Sequence, residues 1–252
     1  MKTVMNQDIQ SSDLIPLLYQ HQRVLETMHY SWIKPLVESF PVEVQPLIVG
    51  ALAPAQSASL QKITNISPLS VSSVVKNFIV NRLYTLLEKE HHLPVEYLPT
   101  TELTPLTTWN KKELVHLIDF LGLHDLAAEI RNIVNKRHLE NIYSCLTPKQ
   151  LYYLKVCTYQ KEKLVPPKLG INPAEKNCDR LKVLIHQRGL LRLGKALSGQ
   201  HPDLFWYIVH TLDIGRGKIL MNYYKSQPIP NVTPILKLQV TNVMNFLKKS
   251  ET

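Results

Sequence analysis

The tetrapeptide Gly215-Arg216-Gly217-Lys218 carries the Gly-x-Gly-Lys end of a phosphate-binding loop. Such a loop also needs a further glycine upstream, a Ser or Thr after the lysine, and a strand leading in. Position 212 is Leu and position 219 is Ile. The better reading is a joint between two helices, in which Asp213 caps the second and the glycines let backbones approach closely. Of the ten histidines, His116, His124, His138, His186 and His210 fall in helical patterns, and His91 and His92 are adjacent in an irregular stretch. No HExxH, no His/Asp/Glu cluster at ligand spacing and no Cys–His pair beside a glycine elbow is present, so no catalytic residue, cofactor or metal is assigned. Cys145, Cys157 and Cys178 match neither a disulfide framework nor a paired-thiolate zinc site, and are expected to be reduced, mostly buried small hydrophobes.

A sharper feature is HQRGLLRLGKALSG at 186–199. At about 100° per residue, Arg188, Arg192 and Lys195 share one face while Leu190, Leu193 and Leu197 lie nearly opposite. With Arg216 and Lys218 after the next helix, these five form the candidate partner-binding face, a surface for an acidic partner; the competing reading is a solvated polar face. The formal charge of +9 points the same way. Positions 1–126 hold 9 basic and 12 acidic residues, and positions 127–252 hold 20 and 8. A basic half suits acidic protein, nucleic acid or anionic lipid. Trp32, Trp109, Phe205, Trp206, Tyr207, Tyr223 and Tyr224 could stack on bases, but aromatics at helical spacing more often anchor cores. No RNP strand or KH loop is present, which leaves a basic helical nucleic-acid-binding protein as the alternative function.

The elements that would position these residues are helices. Apolar residues recur at three- and four-residue intervals, and alternating β-branched runs are hard to find, so the fold class is all-α. The clearest helices are 14–28, 70–90, 111–123, 148–163 and 233–249, with Ser70, Asn110, Thr147 and Thr233 as N-caps and Pro148 and Pro234 in first helical positions. The Pro/Thr-rich stretch 99–110 reads as a linker after an N-terminal helical subdomain, 1–98. A repeat domain follows at 111–226, with a long surface loop at 165–177, and 227–252 forms a last helix and tail. No apolar run nears the roughly 18 to 20 residues that span a bilayer, and the N-terminus lacks a signal-peptide pattern, so the cytoplasm is the expected location.

Self-similarity gives the architecture. ALAPAQSASLQKI at 51–63 aligns without gaps to CLTPKQLYYLKVC at 145–157, matching Leu52, Pro54, Gln56 and Leu60 to Leu146, Pro148, Gln150 and Leu154, and upstream Ile48 to Ile142. A weaker third copy matches Ile48, Leu52 and Leu60 to Ile208, Leu212 and Leu220, and Ile33 and Val37 to Leu193 and Leu197. The expected unit is a helix, a tight turn after an apolar Leu, and a second helix, stacked on its neighbours to hide its apolar stripe.

The succession HYSWIKPLVESFPVEVQPLIVGAL, LVHLIDFLGLHDLAAEIRNIV, LENIYSCLTPKQLYYLKVC and IHQRGLLRLGKALSGQHPDLFWYIVHTLDIGRGKIL resembles the SctK-like accessory proteins of bacterial type III secretion systems, in particular the larger chlamydial-type versions. It is also similar to the armadillo-like helical repeats of the flagellar switch protein FliG. The resemblance implies stacked helix-turn-helix repeats and a non-enzymatic cytoplasmic adaptor, peripheral to the inner membrane. Its partners would be the SctQ-type scaffold and the cytoplasmic domain of an SctD-type ring protein.

Overall fold

The computed structural model describes residues 21–87, 92–159, 164, 168–171 and 176–249. The fold is all-α, with no strand among these residues. The chain divides into two units, Met1–Tyr97 and Leu98–Thr252. None of the helices described is long and apolar enough to cross a membrane.

Unit 1 contains α1 (21–27), α2 (Tyr30–Glu38), α3 (Gln45–Ala51), α4 (Pro54–Thr64) and α5 (Ser73–Leu87). His29 separates α1 from α2: its extended backbone ends one helix, and its ring accepts the Ser31 N–H to start the next. The carbonyls of Leu25 and Met28 at the break accept from the buried Gln56 amide of α4, at 2.6 and 2.7 Å. An interior helix end needs such partners, because orphaned carbonyls are costly away from water. Around this joint Ile33, Val37, Ile48, Val49, Leu60 and Leu83 form the core.

Unit 2 contains a short 3₁₀ turn, Thr104–Thr108, and then α6 (Lys111–Ile130), α7 (Lys136–Tyr143), α8 (Pro148–Tyr159), α9 (Cys178–Ala196), α10 (Pro202–Thr211), α11 (Ile214–Tyr223) and α12 (Thr233–Lys249). Its centre is α9, which packs against α6, α11 and α12. The two longest helices, α6 and α9, touch backbone to backbone at two glycines. A methyl on Gly122 would strike the Ile185 carbonyl, and one on Gly189 would strike the Ile118 carbonyl. Any larger residue at either position would force the helices apart. Asn110 starts α6 with a capping box, accepting from the Lys112 and Glu113 N–H groups while Glu113 accepts from its own.

Several expectations are corrected. The stretch 99–110 is not a linker: Leu103 and Leu106 are buried, and the turn 104–108 packs against α10. The C-terminal helix is part of unit 2, with Leu236, Val240, Val243 and Met244 buried. Ser72 rather than Ser70 accepts the N–H at the start of α5. Thr233 does not cap α12; its hydroxyl donates to the Lys195 carbonyl and accepts from the Ile229 N–H. Cys145 and Cys178, expected as thiols, form a disulfide between the α7–α8 joint and the start of α9, while Cys157 stays outside it as a buried thiol. Most of the 165–177 loop, and residues 14–20 of the first predicted helix, lie outside the described residues.

The aligned segments behave unequally. Ile48, Leu52 and Leu60 are buried, as are Ile142, Leu146 and Leu154, and Ile208, Leu212 and Leu220. The joints differ. In α3–α4 it is Leu52-Ala53, both extended, with the Leu52 N–H on the Val49 carbonyl. In α10–α11 it is Leu212-Asp213, in the same conformation, with the Leu212 N–H on the Val209 carbonyl. The α7–α8 joint is four residues, 144–147, one of them the disulfide-bonded Cys145. Gln150 also departs from Gln56: its side chain accepts from the Thr147 N–H instead of holding another helix.

Candidate functional site

The five candidate residues do not make one cationic face. The sequence pattern places Arg192 opposite the leucines of α9, yet helices pack on both sides of α9 and Arg192 is 3% exposed. Its guanidinium forks onto Asp125 of α6, also buried, through Nε and Nη2, and the third nitrogen, Nη1, donates to Gln239 of α12. Arg192 is therefore an internal tie between three helices, and its assignment to a docking surface is corrected. Arg188, one turn earlier, lies 3.7 Å from the other Asp125 oxygen and donates to the Lys168 carbonyl at 2.7 Å.

Arg216 is engaged as well. Its N–H completes the Asp213 cap at 3.2 Å, its guanidinium pairs with the same carboxylate, and its Nε donates to His186 Nε2 at 2.8 Å. A guanidinium only donates, so His186 must hold its proton on Nδ1, which donates to Asp119 at 2.6 Å. Lys111 Nζ stands 3.4 Å from Asp213. The chain Asp119–His186–Arg216–Asp213–Lys111 ties α6, α9 and α11 together. Burial alone would raise the Asp213 carboxyl, but the Arg216 hydrogen bonds and the Arg216 and Lys111 charges prevail and hold it at about 2. The GRGK tetrapeptide thus lies in the first turn of a helix capped by Asp213.

Lys195 and Lys218 remain. Lys218 is exposed, Lys195 is half-buried, and neither forms an ion pair with a described residue. Arg180 and Lys182 at the start of α9, Lys155 of α8 and Lys225 after α11 are exposed too, so the exposed basic residues of the second half are spread over several elements rather than gathered on the expected face. Of the aromatic candidates Phe205 and Tyr207 are buried and the other five half-buried; Phe205 stacks on Tyr224 with centroids 3.9 Å apart, and Trp206 stacks on His210 at 4.0 Å. Among the described residues no three His, Cys, Asp or Glu side chains are grouped to hold a metal ion.

The sequence reading missed His124 as an internal group. It is buried beside Arg192 and sits 3.2 Å from the Tyr153 hydroxyl. Burial, followed by the Arg192 charge, pushes its pKa down from 6.5 to about 3. The unfolded chain therefore takes up this proton near pH 6.5 and the folded chain only near 3. Stability from this group is complete above 6.5 and falls as pH drops toward 3, by about 1.4 kcal/mol per pH unit. Urea midpoints measured from pH 6 to pH 4 should fall more steeply for the wild type than for His124→Gln. Parallel slopes would rule out a buried neutral imidazole.

No protein-family model, no curated protein and no solved structure matches the chain.

Proposed function

We propose that this chain is a non-enzymatic adaptor made of related helical units, working in a bacterial type III secretion sorting platform between an SctD-type ring protein and the SctQ-type scaffold. The observation that carries it is the two-residue extended joint at 52–53, repeated at 212–213 between equally placed buried residues. Extending that 160-residue offset pairs Val80, Leu83 and Tyr84 of α5 with Val240, Val243 and Met244 of α12, all buried. Stacked helix pairs of this kind suit a scaffold, because each hides its apolar stripe on a neighbour and leaves another face for partners. The secretion context rests on the resemblance of the quoted segments.

The cytoplasmic part of the proposal meets the Cys145–Cys178 pair. Disulfides persist in oxidising compartments and are rare in cytosol, so a chain working there carries the two as thiols. Scattered lysines over unit 2 give rim contacts that orient an acidic partner rather than anchor it.

Co-expression with the SctQ-type scaffold and the SctD-type cytoplasmic domain tests the reading, with salt-resistant co-purification of either as the expected result. The net charge of +9 favours the second reading, nucleic-acid binding. That reading requires affinity for unrelated duplexes that falls steeply with salt, and such behaviour without scaffold capture would replace the first.

A further inference from the structure

Unit 1 leaves an apolar stripe of α5 in water. Val74, Val75, Phe78 and Leu86 are 76%, 41%, 72% and 42% exposed, and with Arg82 and Thr85 they fall within about 120° of the helix circumference. The opposite side of α5, with Val80, Leu83 and Tyr84, is buried. Helix α12 supplies the comparison, since its residues 233–247 stand 160 positions after 73–87. Its outward positions are Pro234, Leu238, Asn242 and Asn245, where α5 has Val74, Phe78, Arg82 and Thr85. Its flank is covered: Gln239 bonds Arg192, and Phe246 packs 5.6 Å from Phe120 of α6 and 4.8 Å from Tyr153 of α8. The corresponding flank of α5 carries Ile79 and the exposed Leu86, and no described helix of unit 1 takes the part of α6.

Charge says what kind of helix fits there. From position 44 to position 87 the sequence contains no Asp or Glu, only Lys62, Lys76 and Arg82. Arg82 stands inside the stripe, one turn from Phe78 and one from Leu86, and forms no ion pair with a described residue. A second copy of the chain is a poor occupant, since α5 against α5 would bring this cation onto a face with no carboxylate to meet it.

We infer that the Val74–Phe78–Leu86 stripe of α5 docks an acidic amphipathic helix of a partner protein, whose apolar edge takes the place that α6 holds beside α12 and whose carboxylate meets Arg82. Helix-in-groove recognition of this type uses apolar anchors at i, i+4 and i+7 spacing for affinity and flanking charge for choice of partner. The inference rests on the adaptor reading and names the partner's chemistry.

The test titrates the full chain into two labelled synthetic helices of 18 residues with the same leucine face, one flanked by Glu and the other by Lys, and reads fluorescence anisotropy. The Glu helix should bind and the Lys helix should not. Phe78→Ser and Arg82→Glu should each weaken binding by about tenfold or more, as loss of a central anchor or its charge partner does, while Asn222→Glu at an exposed position of unit 2 leaves it unchanged. Arg82→Glu alters an exposed side chain only, so it carries the test even if Phe78→Ser fails to fold. The inference is overturned by equal binding of both helices, by no binding of the Glu helix, or by insensitivity to both variants. It is also overturned by Phe78-dependent dimerisation, or by Phe78-dependent binding to vesicles of 30% phosphatidylglycerol in phosphatidylcholine. Glu-helix binding without capture of ring or scaffold protein removes the secretion assignment alone; capture that survives both α5 variants, without helix binding, removes the α5 assignment alone.

Discussion

Asp125→Ala is expected to destabilise unit 2 by about 3–5 kcal/mol, the cost of removing one member of a buried ion pair. Arg192 is enclosed by α6 and α12, and Asp125 is the carboxylate onto which it forks. Removing it takes from a guanidinium that cannot lose its proton the buried carboxylate onto which it forks. The double replacement Asp125→Leu with Arg192→Met should recover most of the loss, because apolar side chains of similar size restore packing without a charge to desolvate. Urea unfolding followed by far-UV circular dichroism measures both. If the single variant unfolds at the wild-type midpoint, the pair is not enclosed as described. If the double variant is as unstable as the single, geometry rather than the broken ion pair accounts for the loss.

Reduction of the Cys145–Cys178 bridge should produce a loss of similar size. The bridge closes a loop with a sequence separation of 33, and restricting a denatured loop of that length is worth about 3–4 kcal/mol on the chain-entropy account. Urea midpoints with and without reductant should separate accordingly for the wild type and coincide for Cys178→Ser. The same midpoint in both conditions would mean that the two sulfurs are not bonded in solution. Blocking groups on both Cys145 and Cys178 after extraction of the native chain with a thiol-alkylating reagent would place the working protein in a reducing compartment. That result would agree with the adaptor proposal and would make the bridge a product of later oxidation.

Local signals in the sequence read well wherever they act within a few residues. Asn110 and Glu113 stand three apart, the spacing of a capping box, and they form one. Asp213 precedes a glycine-containing first turn and caps it. Leu52 and Leu212 were legible as joint residues, because an apolar side chain at a helix end must turn inward to be buried. The candidate docking face was less legible. A helical wheel divides α9 into apolar and basic halves, but it assumes one buried side, and α9 has neighbours on both. Counting charge by halves also hid the carboxylate-free run from 44 to 87, because Asp and Glu elsewhere in the first half outnumber its few cations.

The sequence by itself determined an all-helical chain, the joints at Leu52, Leu146 and Leu212 and the apolar residues buried around them, since periodicity, caps and turn chemistry act over distances shorter than one helix. Only the tertiary structure decided that Arg192 is interior, that Cys145 meets Cys178, that 99–110 belongs to unit 2, and that α5 keeps an apolar stripe in water. Each depends on which helices become neighbours, and neighbours far apart in the chain are chosen by the summed packing of many side chains, as at Gly122 and Gly189, where two backbones meet because neither position carries a side chain.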